Sequence, residues 1–93
     1  MNTSKETKKK PIENHKDDFA NDNFLILHND DVHTFDYVID ALVDICNHEY
    51  EQAAQCTLIV HYKGKCDVKK GGFKKLKPLK DALIEKELNA TIH

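Results

Sequence analysis

The sequence predicts an α/β sandwich: a three-stranded antiparallel sheet packed against three helices, in the order β-α-α-β-α-β, behind a disordered N-terminal tail. Three observations carry that reading. Ninety-three residues make one small domain, with no room for a second core. A short apolar run of strand length, Phe24-Leu25-Ile26-Leu27, is followed by two segments whose apolar residues repeat at helical spacing. Beyond them come a short strand pattern, a glycine pair and a third helical spacing.

Residues 1–23 hold four hydrophobic side chains, Met1, Ile12, Phe19 and Ala20, among Lys, Glu, Asp, Asn, Thr, Ser, His and Pro11. Such a segment buries too little apolar area to offset its ordering entropy, so it is expected to be a flexible tail. The folded body is expected at residues 24–93. Its first strand closes at the polar cluster His28-Asn29-Asp30-Asp31. Thr34 then reads as a helix N-cap, with Asp36 in the first turn where the dipole favours an acid. Phe35, Val38, Ile39, Leu42, Val43 and Cys46 form one amphipathic stripe, which Asn47-His48 ends.

Tyr50, Ala53, Ala54, Leu58 and His61 repeat at helical spacing, and Gly64 offers a C-terminal stop. Cys56 to Val60 alone is rich in β-branched residues and would suit a strand. The wider spacing favours a helix through Tyr62. Lys65 to Lys70 reads as a short strand ending at Gly71-Gly72. Phe73, Leu76, Leu79, Ala82, Leu83 and Leu88 mark the third helix. Pro78 lacks an N–H, so the regular helix is expected to begin near it, with Pro78 in a first-turn position. Ala90-Thr91-Ile92 completes the sheet as an edge strand.

Composition removes several function classes. The chain is 40% hydrophobic and 32% charged, and no uncharged stretch approaches the roughly 20 residues needed to cross a bilayer. The first ten residues are polar and lysine-rich, without the apolar segment of a secretory signal. Cys46, Cys56 and Cys66 are odd in number and form no CxxC, which suits reduced thiols in a cytoplasmic protein. The net charge of −2 hides a partition. Ten acids and no lysine lie between Asp17 and Glu51, whereas eight lysines and one acid lie between Lys63 and Lys80. All fourteen Lys and Arg positions are Lys, and Arg is the residue that best reads phosphates and bases. Nucleic acid is therefore not an expected partner, nor is a membrane.

The loop His28-Asn29-Asp30-Asp31-Val32-His33 concentrates the candidate chemistry. It has no cysteine and no zinc or calcium spacing, so no metal or other cofactor is expected. Three readings stay open for it: a hydrogen-bonded turn leading into a helix, an acid–base pair of Asp30 and Asp31, and a cradle of acceptors for a cation. His61 sits on or beside the stripe of the second helix, where a packed core role competes with a functional one. No GxSxG, HExxH or phosphate loop occurs, and Ser4 is the only serine. No enzyme class is indicated. The lysine run reads as a solvated face or as a surface for acidic proteins.

Two blocks carry a family resemblance. Leu25-Ile26-Leu27-His28-Asn29-Asp30-Asp31, continuing through Thr34-Phe35-Asp36-Tyr37-Val38 to Leu42, resembles the signature of the ClpS adaptors. Glu51-Gln52-Ala53-Ala54 onward to Val60-His61-Tyr62-Lys63-Gly64-Lys65 is similar to the family's helix ending in VH-x-x-G. The spacing between them also matches. The third-helix region departs, with Lys74 and Lys77 where the family usually has acids.

The resemblance implies a monomeric adaptor without catalysis, serving a Clp AAA+ unfoldase (ClpA- or ClpC-like) through its N-domain. Its substrates would be N-degron proteins that begin with Phe, Tyr, Trp or Leu. Asn29, Asp30, Asp31 and His61 would then accept hydrogen bonds from the substrate's α-ammonium. Leu27, Thr34, Phe35, Val38, Thr57 and Val60 would wall the hole for the first side chain. The tail would serve delivery to the unfoldase. Thr57 and Phe35 stand where family members often have Met, which implies a roomier floor and a narrower mouth. The competing reading is a small protein-binding or ribosomal-stalk-like domain that uses the lysine-rich face.

Overall fold

The computed structural model describes residues 23–93, and the element order is the expected one. Strand β1 (Asn23–His28) is followed by helices α1 (Phe35–Cys46) and α2 (Tyr50–Lys63). Strand β2 (Lys65–Gly71), helix α3 (Phe73–Glu85) and strand β3 (Asn89–Ile92) complete the chain. The sheet is antiparallel, in the order β2-β1-β3. The expected tail lies outside the described residues, except that Asn23 already pairs with Gly71 and opens the strand one position early.

Period-two alternation decides which face of β1 is buried. Leu25 and Leu27 turn inward and are fully buried, while Phe24, Ile26 and His28 are half-buried on the opposite face. The inward pair meets Leu42 of α1, Ala53 and Val60 of α2, and Leu76 and Leu83 of α3 in one core. Each fully buried Leu contributes roughly 1.5–3 kcal/mol relative to exposure.

The ladder between β1 and β2 slips once. Leu25 pairs with Lys69 and Ile26 with Asp67, so Val68 is the extra residue of a β-bulge. Its side chain is buried, and its carbonyl accepts a 2.6 Å hydrogen bond from Nε2 of His48. His48, which the sequence reading treats only as a helix break, is thus a buried strut between the α1–α2 turn and the sheet. Asn47 before it adopts the left-handed conformation (φ 59°) that ends α1.

Helix α3 corrects one expectation. It begins at Phe73, not near Pro78, and Pro78 lies inside it. The preceding turn is helical already: the N–H groups of Lys75 and Leu76 both donate to the Gly72 carbonyl. Burial of Leu76 holds this turn against the proline's missing donor, and Pro78 itself faces solvent. After α3 the chain reverses through Glu87 (φ 65°), and the Leu88 N–H donates to the Leu83 carbonyl at 3.0 Å. That reversal buries Leu88 and starts β3.

Candidate functional site

The turn between β1 and α1 is organised by one carboxylate. Oδ1 of Asp30 accepts from the backbone N–H of Val32 (2.7 Å) and of His33 (2.9 Å). The His33 ring, through Nδ1, lies 3.1 Å from both carboxylate oxygens. Asp residues favour such turns because their side chains replace backbone acceptors. Burial alone would raise the Asp30 carboxyl, but the amides of His33 and Val32 and the His33 ring together hold it below its ordinary range. The Thr34 hydroxyl accepts from the Tyr37 N–H at 3.1 Å and caps α1.

A single backbone bond brings this turn to α2. The Asn29 N–H donates 2.9 Å to the Gly64 carbonyl, at the left-handed stop (φ 93°) that ends α2. His61, one turn earlier, therefore reaches the same cleft as Asn29 and Asp30. With its open mouth included, the cleft holds about 370 Å³ of empty space.

Its lining divides by polarity. Leu27, Thr57, Val60 and Leu88 are buried and Val38 is half-buried, so they make an apolar wall. The Thr57 hydroxyl is spent on the Ala53 carbonyl at 2.8 Å, one helical turn back. Asn29, Asp30, His33 and His61 supply the polar part, and Asn29 and His61 are exposed. Phe35 meets the His61 ring edge-on at 5.3 Å, which fixes that imidazole against the cleft wall. Among the described residues, none in the lining is a lysine. A rim rich in acceptors over an apolar hole suits a ligand that joins a cation to an apolar group.

Most of the residues singled out from sequence meet here: Asn29, Asp30, His61, Leu27, Phe35, Val38, Thr57 and Val60 all line the cleft. Two stand apart from the lining. Thr34 has turned its hydroxyl to the helix cap, and Asp31 is exposed on the turn. Sequence reasoning missed three lining residues, His28, His33 and Leu88.

Burial makes Cys46 and Cys66 poor nucleophiles. All three cysteines are free. Burial, slightly opposed by Lys69, pushes the Cys46 thiol up to about 11. Burial and neighbouring Cys56 push Cys66 up to about 12. Both are protonated near neutrality. Among the described residues, no three His, Cys, Asp or Glu side chains gather where a metal could be held, and no helix is long and apolar enough to cross a membrane.

Comparison with known proteins identifies the family and the fold. The profile of the family described as "ATP-dependent Clp protease adaptor protein ClpS" matches residues 20–91. Among solved structures, that of Agrobacterium tumefaciens ClpS2 bound to L-phenylalaninamide is similar at a TM-score of 0.65 and 19% identity. The match covers 76% of this chain and 93% of that one, a likeness in fold.

Proposed function

The chain belongs to the ClpS family of Clp protease adaptors, and from that premise we propose that its cleft binds the free N-terminus of N-degron substrates for delivery to a Clp unfoldase. The observation that carries the reading is the joining, in one cleft, of acceptors Asn29, Asp30 and His61 with an apolar wall of Leu27, Val38, Thr57, Val60 and Leu88. An α-ammonium is a donor-only cation, so its recognition requires acceptors, and the large apolar first side chain requires the hole. The phenylalaninamide bound by the Agrobacterium protein has this same pair of features, a free amine beside an aromatic side chain.

The expected energetics favour selectivity. Burying a Phe-sized side chain gives roughly 2–3 kcal/mol. Each charge-assisted hydrogen bond to the ammonium adds roughly 1.5–3 kcal/mol before association costs are subtracted. An internal Phe keeps the first contribution and loses the second, because a peptide N–H carries no charge. The adaptor thereby reads chain ends and not sequence interiors. Membership of a Clp protease adaptor family supports delivery to a ClpA- or ClpC-like unfoldase, through contacts on the folded body and the tail.

A fluorescent peptide beginning with Phe tests the site, measured with its N-terminus free and acetylated. The free peptide should bind and the acetylated one should not. Equal binding of the two would overturn the reading. Alanine at Asn29, Asp30 or His61 should weaken the free peptide while the fold, followed by far-UV circular dichroism, persists.

A further inference from the structure

His33 is absent from the acceptor set implied by the family pattern, yet the structure ties it to that set. We propose that His33 is a positioning residue that aims Asp30 Oδ2 at the substrate ammonium; this inference rests on the ammonium reading of the cleft.

The hydrogen bonds of Asp30 divide unequally between its oxygens. Both backbone amides of the turn go to Oδ1, and the ring also lies 3.1 Å from that oxygen. A carboxylate oxygen has about two lone-pair sites, so Oδ1 is fully occupied. Oδ2 receives the imidazole alone, also at 3.1 Å, and keeps capacity for an incoming donor. The backbone bonds pin Oδ1 and hold the turn without the ring, but they leave the carboxylate able to rock about that oxygen, since the last Asp torsion is soft. Among the described residues the ring is the group that bonds Oδ2, and so it limits that rocking.

The ring is itself held. It stacks on Tyr37 with centroids 4.5 Å apart and planes within 17°. The Tyr37 hydroxyl donates 2.8 Å to the Lys86 carbonyl, just beyond α3. His33 is thus gripped between the loop carboxylate and a tyrosine anchored to a separate element. The side chains of His33 and Asp30 are 13% and 21% exposed, so their pairing is shielded from most solvent competition. Nδ1 carries the proton toward Asp30, and a neutral ring suffices for the task.

The geometry discriminates among replacements. The amide nitrogen of Asn stands at the position of imidazole Nδ1, whereas that of Gln stands at Nε2. His33→Asn therefore keeps the donor toward Asp30, while His33→Ala and His33→Gln lose it. The readout is the affinity of a fluorescent Phe-led peptide divided by that of its analogue led by 3-phenylpropionyl, which has the same ring and no amine. This ratio isolates ammonium recognition and is insensitive to a general loosening of the fold, which would weaken both peptides alike.

Wild type should favour the amine strongly, and His33→Ala should lower the preference by about tenfold, the scale of one weakened charge-assisted bond. His33→Gln should behave as Ala, and His33→Asn should stay within about threefold of wild type. An unchanged ratio in His33→Ala, or a fall in His33→Asn matching that in Ala, would overturn the positioning role. Retention in Gln with loss in Asn would also overturn it, by assigning the ring's Nε2 a direct contact. Absence of any amine preference in wild type would sink the proposed function along with this inference; with that preference intact, only the His33 role is at stake.

Discussion

Replacing Thr57 by Met tests the register of α2 against the substrate pocket. Thr57 is buried in the cleft wall, with its hydroxyl committed to the Ala53 carbonyl at 2.8 Å. What it can offer a ligand is therefore its methyl group. A Met side chain reaches about two atoms further, into space that a ligand branched at Cβ would need. A misfit of one methyl group in an apolar pocket is worth roughly 1–3 kcal/mol, so the Leu-to-Ile affinity ratio should rise about tenfold in Thr57→Met. Phe- and Leu-led peptides, unbranched at Cβ, should change little. Thr57→Val keeps the shape and deletes the hydroxyl; it should leave every ratio within about twofold, since the ligand never used that oxygen. The assay is fluorescence anisotropy with matched Phe-, Leu-, Ile- and Val-led peptides. An unchanged Leu-to-Ile ratio in Thr57→Met would refute the placement of residue 57 beside the ligand's Cβ.

Gly64→Ala should destabilise the protein by about 1–2 kcal/mol, because Gly64 has φ +93° where an L side chain is strained, although nothing stands within 4 Å of the added methyl; urea unfolding measures it, and an unchanged midpoint would contradict the strain argument. The depressed Asp30 carboxyl makes a stabilising contribution that is complete above the ordinary carboxylate range of about 4 and is lost as the pH falls through its lower folded value. An NMR titration of the Asp30 carboxyl carbon should therefore give a midpoint below the model-peptide value, and a midpoint at or above it would contradict the turn geometry. Deleting residues 1–21 should leave Phe-peptide affinity unchanged, since the described lining residues, Leu27 onward, already supply both the acceptors and the apolar wall, while unfoldase-coupled degradation of an N-degron substrate should fall; undiminished degradation would remove the tail from delivery.

The parts of this molecule legible in its sequence are those in which local pattern and tertiary environment agree. Helix α1 is bounded as its stripe predicts, because Thr34 caps it and Phe35 to Cys46 keep one face inward. In helix α2 the two disagree: Cys56 to Val60 has strand propensity, and tertiary packing of Ala53, Cys56, Thr57 and Val60 on one face overrides it. The start of α3 differs from the expectation because propensity weighs Pro78 and cannot weigh the burial of Leu76 two residues before it. In the cleft, the motif residues were visible as a cluster of acceptors, but Leu88 was visible only as an apolar position. It reaches the wall through the Glu87 reversal and the pairing of β3 with β1, contacts more than 60 residues distant from Leu27 along the chain. His33 gave a local signal, three residues after Asp30, which turn chemistry could have flagged. Asp31 and Thr34, carried by the motif, do not line the cleft: one is exposed on the turn and the other caps α1.

The cleft and the core share three residues, Leu27, Val60 and Leu88, in a way that constrains how the site can vary. Of these, Leu27 packs in the buried centre with Leu42, Leu76 and Leu83. Truncating it would cost roughly 2–5 kcal/mol of stability, so loss of binding at that position would say nothing about recognition. The acceptors are placed differently. Asn29 and His61 are exposed, and Asn29 is registered through its backbone N–H on Gly64, a bond that no side-chain substitution removes. Their side chains can change without opening the core. Under the proposed function, variants of exposed Asn29 and His61 report on binding with little interference from folding, whereas buried Thr57 variants are read beside an unfolding measurement.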